Sequence, residues 1–489
     1  MRATERTGLL AGAKPGGDGI DADPTLSWRI LFYVNVFFSC VSFSIILPSL
    51  QPYLARNGAS SYFYGSTVAV YSVGEMVGAM LFGKVYEWMT VRYRAGAKST
   101  LLMCIGLGMA GSALYVLGDI VTSPNMIFLG RALQGLWTGG KQVVEQTYLS
   151  ETAPAHRVTE LTSELGTFAI LGFVCGPSFG ALFTSIDIDL GNNVIFDAYT
   201  SPGWFILVLC VAIFFLVIVY FDPEPSASYG DASASSEGKS SSKQHAKYSM
   251  DKSMDDGSSY APPNARGLTV LLMLFVIHFF SFAIQETITT PFVLQAYEWN
   301  QRDVNLLFVG VGVVSLLTSI VVKYLSRVVE DYKLLVASIV VGLIGSAFLI
   351  DSLPFGGAPK ITLPLSRFFV GFTLITVAFP FGRNVSLSVF SKILGPTPQG
   401  TWFGYMFAAG ALPRIIGPSW SLFALEKACE IENIDCFLGG RTWLEFSVSG
   451  ALFAVGLVLA MVYKNDMLPY GEGRARDGSD DAAGVSMVV

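Results

Sequence analysis

Apolar residues fall along this chain in twelve blocks, separated by short polar turns and, once, by a long polar stretch. Crossing the hydrocarbon core of a bilayer takes about 20 mostly apolar residues at a rise of about 1.5 Å each, so every block predicts a membrane-spanning helix. In the first half the helices are expected over residues 28–50, 63–86, 99–117, 126–149, 163–184 and 204–221, and in the second half over 268–289, 304–324, 332–350, 365–390, 401–424 and 443–463. The interruption at 222–267 is rich in Ser, Ala, Lys, Asp, Gly and Pro. A segment of this kind buries too little apolar surface to offset the entropy of ordering it, which predicts a disordered linker. The expected organisation is a polar N-terminal tail (1–27), a six-helix bundle (28–221), the linker (222–267), a second six-helix bundle (268–463) and a disordered tail (464–489).

The two halves also repeat each other. The fourth helix contains Arg131 and Gly135 four residues apart, and the tenth contains Arg367 and Gly371 at the same spacing. The fifth carries Gly176 and Pro177, the eleventh Gly417 and Pro418. Two matches at the same ordinal helix of each half predict an all-α membrane protein of twelve transmembrane helices in two parallel six-helix repeats. Transporters of that architecture bind substrate between the repeats and expose it to each side in turn.

Composition agrees: 52% of the residues are hydrophobic and only 14% charged, far too apolar for a soluble chain of 489 residues. The net charge of −6 includes a cluster of acids after Lys464, and nothing basic enough for a nucleic-acid partner appears. Lys84, Arg92, Arg94, Lys98, Arg157, Lys323, Arg327, Lys333 and Lys392 fall in loops on the side of the linker and both termini, against Arg56, Arg302, Lys360, Lys427 and Arg441 opposite. By the positive-inside rule the linker side is expected to be cytosolic. The first 27 residues lack an apolar core with a cleavage site, so the first helix is the expected targeting signal. Cys429 and Cys436 share the loop after the eleventh helix, either as a disulfide in an oxidising compartment or as two free thiols. The Asn384 glycosylation match lies inside a helix, where no glycan is expected. No metal-ligand spacing, phosphate-cradling loop or nucleophile motif is present, so neither an enzyme nor a bound cofactor is expected.

A charge inside a bilayer costs on the order of 3 kcal/mol, so each one usually has a partner or a task. Seven draw attention: Glu75, Lys141, Glu145, His278, Glu286, Arg383 and Arg414. Lys141 and Glu145 are four apart on one helix face, either a self-neutralised pair or an anion site whose carboxylate takes a proton when the pair opens. Glu286, followed by Thr287 and Pro291, is the expected proton-coupling group, with a salt bridge to Arg383 as its structural alternative. Arg383, after Pro380 and Gly382, is the expected anion anchor, since its planar fork suits carboxylate, phosphate or halide. His278 is either a satisfied core histidine or a relay partner for Glu286. Glu75 and Arg414 are expected to be structural or gating, and Arg131 and Arg367, near helix ends, to snorkel or bridge loops. The glycines of the fourth, fifth and eleventh helices, Gly176 and Gly417 among them, suit close helix approach.

Arg131 and Gly135, with the run from Gly172 through Gly176 and Pro177 to Gly180, resemble motifs of the major facilitator superfamily. Gly83, Glu87, Arg92 and Arg94 follow that family's loop between helices two and three at a longer spacing. The segments Gln285 to Pro291, Ser391 to Gly400 and Arg414 to Pro418 resemble a lysosomal branch of the superfamily and, more distantly, vacuolar phosphate transporters that carry an SPX domain. The resemblance implies an organelle membrane and a small anionic substrate, chloride or phosphate being candidates. In that light Glu5, Leu9 and Leu10 read as an acidic dileucine sorting signal for a cytosolic adaptor. The expected function is a secondary transporter moving a small anion across an endolysosomal or vacuolar membrane, either alone or coupled to protons through Glu286. The rivals are a channel-like anion conductance and a non-transporting scaffold.

Overall fold

The computed structural model describes residues 26–93, 96–183, 188–189, 195–197, 199–223, 263–299, 301–351, 363–395, 397–432 and 442–470. All twelve expected helices are present. The first half holds α1 (Leu26–Arg56), α2 (Ser61–Tyr93), α3 (Gly96–Ile120), α4 (Pro124–Thr152), α5 (Val158–Phe183) and α6 (Ser201–Tyr220). The second holds α7 (Ala265–Ala296), α8 (Gln301–Leu325), α9 (Asp331–Leu349), α10 (Leu365–Leu394), α11 (Gly400–Glu432) and α12 (Trp443–Val462). Most overrun their expected ends, because hydropathy stops at the first charges while the backbone helix continues into the polar boundary. Pro opens α4 and α6, and the Asn264 side chain accepts from the backbone N–H groups of Arg266 and Gly267 to cap α7.

Two short features were not expected. Ile188–Asp189 pairs antiparallel with Ile195–Phe196 between α5 and α6. Residues 464–470, expected to be unstructured, begin with a 3-10 turn over Asn465–Met467, bury Met467 and tie down Tyr470, whose N–H donates to the Lys392 carbonyl at 3.0 Å.

By length and composition, ten of the described helices can cross a membrane. The two that fall short, α4 and α11, are the least lipid-like for a physical reason. α4 carries Arg131, Lys141, Glu145 and Glu151 and is buried along most of its length, while α11 is diluted by Gly, Pro, Ser and Arg414. Outward faces are apolar, as in α6, where Val208, Phe215 and Val219 are at least 60% exposed. In water such a surface would aggregate; in lipid it is the solvent-facing side.

Close approach within each half relies on glycine. A Cβ on Gly139 of α4 would sit 2.0 Å from the Glu75 carbonyl of α2, and one on Gly135 would sit 2.1 Å from that of Tyr71. The two sequence repeats fare differently. Gly176 packs against Ser44 of α1, and Gly417 against Ala283 of α7, so the Gly-Pro match marks equivalent helix pairs. Gly135 packs on α2 whereas Gly371 packs on Gly345 of α9, so the Arg-Gly match does not.

The halves meet most tightly at the face that bears the linker. Gly83 of α2 and Gly400 of α11 are in backbone contact, as are Ala79 and Gly404. Glu87 accepts from the Thr401 backbone N–H at 2.8 Å and from its hydroxyl at 2.6 Å, capping α11 and meeting its positive dipole end. Glu164 of α5 pairs with Lys323 of α8 at 2.7 Å and with Arg29 at 2.9 Å, and Glu160 pairs with Arg327 at 2.5 Å. Asp331 of α9 accepts from Thr159 at 3.1 Å and from Lys392 at 2.5 Å. The linker face is thereby closed by a polar clasp across the two halves.

Gly139→Val should prise α2 from α4 at a cost of about 1–3 kcal/mol, the usual penalty of overpacking. Gly106→Ala, whose Cβ meets nothing within 4 Å, should leave stability unchanged. Thermal unfolding of the purified protein in detergent checks both, with a lowered midpoint expected for Gly139→Val alone.

Candidate functional site

Between the halves lies a cavity of about 1110 Å³. Ser49 and Pro52 near the end of α1, Gly180 of α5, and Tyr199 and Pro202 at the start of α6 line it, all on the side away from the linker. None of the clasp residues does. The space therefore opens opposite the linker and is closed toward it.

Six charged side chains line the cavity: Glu75, Lys141, Glu145, Glu286, Arg383 and Arg414. The helices that carry them come from both halves, which is why their proximity could not be read from spacing. Lys141 Nζ lies 3.0 Å from Glu145 Oε2, and Asn35 Nδ2 donates to Glu145 Oε1 at 2.6 Å. Both members are almost wholly buried, so the self-neutralised form of this pair is the one present. Arg414 of α11 reaches across to Glu75 of α2 at 2.9 Å, and Gln142 Nε2 donates to the other Glu75 oxygen at 3.0 Å. This bridge spans the halves across the wall of the cavity.

Two charges remain. Arg383 is half-buried and donates only to Asn384 Oδ1, at 3.1 Å. Glu286 is exposed to the cavity. Neither has an ion-pair partner within 4.0 Å among the described residues, so the Glu286–Arg383 bridge offered as an alternative is not formed. Asn384, buried and within a few ångströms of Gly166 in α5, holds the guanidinium beside the interface between halves.

The structure also decides between other readings. His278 lies outside the cavity, in the second-half core: Nδ1 bonds the Leu274 carbonyl at 2.8 Å, Nε2 the Ser338 hydroxyl at 3.2 Å, and Phe453 packs edge-on. That is a satisfied core histidine, and the Gly382 backbone fits directly against its ring. Arg131 does not snorkel. It is 1% exposed, donates to Gln134 at 2.9 Å, and its guanidinium lies 4.4 Å from the Tyr71 ring centroid. Arg367 does bridge, donating to the Ile350 carbonyl at 2.7 Å at the end of α9. Pro177 and Pro418 lie within α5 and α11, and Gly176, Gly417 and Pro418 do not line the cavity. Glu5, Leu9, Leu10 and Cys436, with the Cys429 side chain, fall outside the described residues. Sequence reasoning missed Asn35, Gln142, Gln285 and Asn384, whose signal was a carboxamide in the middle of an apolar helix.

The Major Facilitator Superfamily profile matches residues 32–418 of the sequence. The chain belongs to the major facilitator superfamily. It is 26% identical over 532 aligned residues to major facilitator superfamily domain-containing protein 8 of Xenopus laevis, covering 95% of this chain and 97% of that protein. To an SPX domain-containing membrane protein of Oryza sativa subsp. indica it is 26% identical over 429 residues, which is 79% of this chain and 58% of that relative's length. Among solved structures, the human organic anion transporter MFSD10 (TETRAN) is similar with a TM-score of 0.63 and 15% identity, covering 89% of this chain and 100% of that one. The proton:xylose symporter XylE is similar with a TM-score of 0.66 and 14% identity, covering 92% and 98%. At those identities the two structures speak for the fold alone. The chain is thus an integral multi-pass membrane protein with the transporter fold of this superfamily, and its cavity lies between the two repeats.

Lys141→Met should leave Glu145 as a buried unpaired carboxylate and destabilise the first half by about 3–5 kcal/mol, whereas the double variant Lys141→Met with Glu145→Leu should recover most of that loss. Thermal midpoints of the two variants in one detergent check the prediction. Equal losses in both would mean the pair stabilises the fold through its own attraction.

Proposed function

We propose that this superfamily member moves a small anion by alternating access, with Arg383 as the anion anchor and Glu286 as the proton-coupling group. The observation that carries the reading is that, among the described residues, these two of the six cavity charges have no ion-pair partner within 4.0 Å. Two ion pairs cancel, so with Glu286 ionised the cavity is neutral. With Glu286 protonated it carries a net charge of +1, since arginine stays charged at any physiological pH.

The sign of coupling follows from that balance. An anion binds Arg383 better when Glu286 holds a proton, and by reciprocity Glu286 holds its proton better when the anion is bound. Anion and proton then load together from the open side and travel in the same direction. To release them on the other side, the clasp built from Glu160, Glu164 and Asp331 opens while the far ends of the helices close. A channel-like conductance would need both faces open at once, and the polar clasp weighs against it.

We read the linker face as cytosolic from its excess of Lys and Arg, and the cavity as opening to the lumen. The dileucine pattern at Glu5, Leu9 and Leu10 supports sorting by a cytosolic adaptor to a lysosomal, vacuolar or endosomal membrane. Cys429 and Cys436 would then face an oxidising lumen, suited to a disulfide.

The test is uptake of labelled chloride, phosphate and a small organic anion into proteoliposomes. Uptake from the cavity side should rise as the pH on that side falls. Arg383→Ala should lower it by about 30-fold, equivalent to losing roughly 2 kcal/mol of charge-assisted hydrogen bonding. Glu286→Gln should make it independent of pH. Anion movement indifferent to pH and to both substitutions would sink the reading and leave a conductance or a scaffold.

A further inference from the structure

We propose that the anion is amphipathic, and that its apolar body is accommodated by a groove between α8 and α10 that joins the central cavity to the bilayer. This rests on the reading of Arg383 as anion anchor and specifies what kind of anion it holds.

Size and lining argue first. At about 1110 Å³ the cavity exceeds the roughly 300–1,000 Å³ that holds drug-sized ligands. Eight of its lining residues are phenylalanine. A halide or phosphate would touch the one free guanidinium and leave these rings facing water, with no apolar burial gained. The rings are also arranged along a line. Phe282 stacks on Phe379 at 4.2 Å, with Phe279 edge-on to Phe379 at 4.9 Å, forming a shelf across α7 and α10. Phe372, Phe379 and Arg383 stand at intervals of seven and four on α10, so they share one helix face. From Arg383 to Phe372 is eleven residues, about 16 Å along the axis at about 1.5 Å each. An anionic head at Arg383 would lay its body across Phe379 and bring its far end to Phe372.

A second space begins there. A groove of about 530 Å³ runs between α8 and α10, and Val311 and Phe372 line both it and the central cavity. Its outer members Leu306 and Phe369 are 59% and 40% exposed on the apolar surface that meets lipid. At its rim Trp299 packs against Phe369, with ring centroids 5.9 Å apart, and Asp303 adds a carboxylate that would repel an anionic head. A Cβ built on Gly310, which also lines the groove, meets nothing within 4 Å, so the passage is open at that point. Head and body are thus offered separate routes. The head travels in the hydrated cavity to Arg383, and the body slides past Phe372 while still bathed by lipid.

The test uses alkanesulfonates, which stay charged and do not cross bilayers as neutral acids. Labelled methane-, butane- and octanesulfonate are supplied to proteoliposomes of the full chain. Each buried methylene is worth up to about fourfold in affinity, so the apparent KM should fall at least about tenfold from butane- to octanesulfonate. Arg383→Ala should lower uptake of both by about 30-fold. Gly310→Trp, which fills the groove, should cut octanesulfonate uptake about tenfold while butanesulfonate stays within about twofold. Val314→Trp on the same wall repeats the test should Gly310→Trp fold poorly, and Gly106→Ala, which lines neither the groove nor the cavity, should behave as the unmodified chain. Octanesulfonate uptake unchanged in a folded, groove-filled variant overturns the groove. Arg383-dependent uptake of methanesulfonate, chloride or phosphate, with octanesulfonate neither carried nor competing, overturns the amphipathic substrate and leaves the anion reading intact. No Arg383-dependent uptake of any anion overturns both.

Discussion

A charge placed at the depth of a bilayer must be paired, hydrated or made useful, because lipid offers nothing else to stabilise it. The arrangement of this molecule follows from how it meets that constraint. Lys141 and Glu145 cancel within one helix, and Glu75 and Arg414 cancel between helices of different halves. Both pairs need their charged faces turned inward: α4 is buried along most of its length, while α11 turns Arg414 to the cavity and keeps Tyr405, Leu412, Ile416 and Phe423 on its outer face. What is left over, Arg383 and Glu286, can persist unpaired because the cavity between the halves is open to water. Without the cavity these two groups would carry a prohibitive desolvation cost, and with it they become available to ligands.

The same economy governs the contact between halves. On the linker face the contact is close and specific: backbone meets backbone at Gly83 and Gly400, and Glu87 caps α11. Ion pairs through Glu160, Glu164 and Asp331 surround that seam at the boundary, where water competes for them. The acids of these pairs are mostly buried while Lys323, Arg327 and Lys392 stay part-exposed, so water reaches each pair from its basic side. A clasp of water-competed pairs around a small-residue seam can hold a closed face and still release it, whereas a large apolar interface could not. Among the described ion pairs, the Glu75–Arg414 bridge crosses the halves deeper in the membrane, part-way down the cavity wall.

The fold was legible because it is written locally. Twelve apolar blocks near the thickness of a bilayer specify twelve helices, and the errors lie at their ends, as at residues 158–162, where Thr159 and Glu160 extend α5 to reach the second half. The Gly-Pro repeat was meaningful, since Gly176 and Gly417 pack equivalent helix pairs; the Arg-Gly repeat was a coincidence of spacing, since Gly135 and Gly371 face different neighbours. The site was legible only in part. A membrane charge announces itself, so Arg383, Glu286 and the Lys141–Glu145 pair stood out. Which charges pair does not, because Glu75 and Arg414 are 339 residues apart. His278 resolves to its core reading, held by a backbone carbonyl and a serine hydroxyl. Arg131 shows the opposite failure: it looked peripheral, yet it is buried, with a carboxamide and an aromatic face beside its guanidinium.

The central claim is that anion and proton occupy this cavity together. It is tested most directly by watching the proton. Proteoliposomes loaded with a pH-sensitive dye and given an anion gradient, with no pH gradient imposed and the membrane potential clamped, should acidify as the anion enters. The Glu286→Gln protein, in which a neutral carboxamide replaces the titrating group, should exchange anion for anion with no change in internal pH. Anion entry without acidification in the unmodified protein, or acidification that survives Glu286→Gln, would contradict the account.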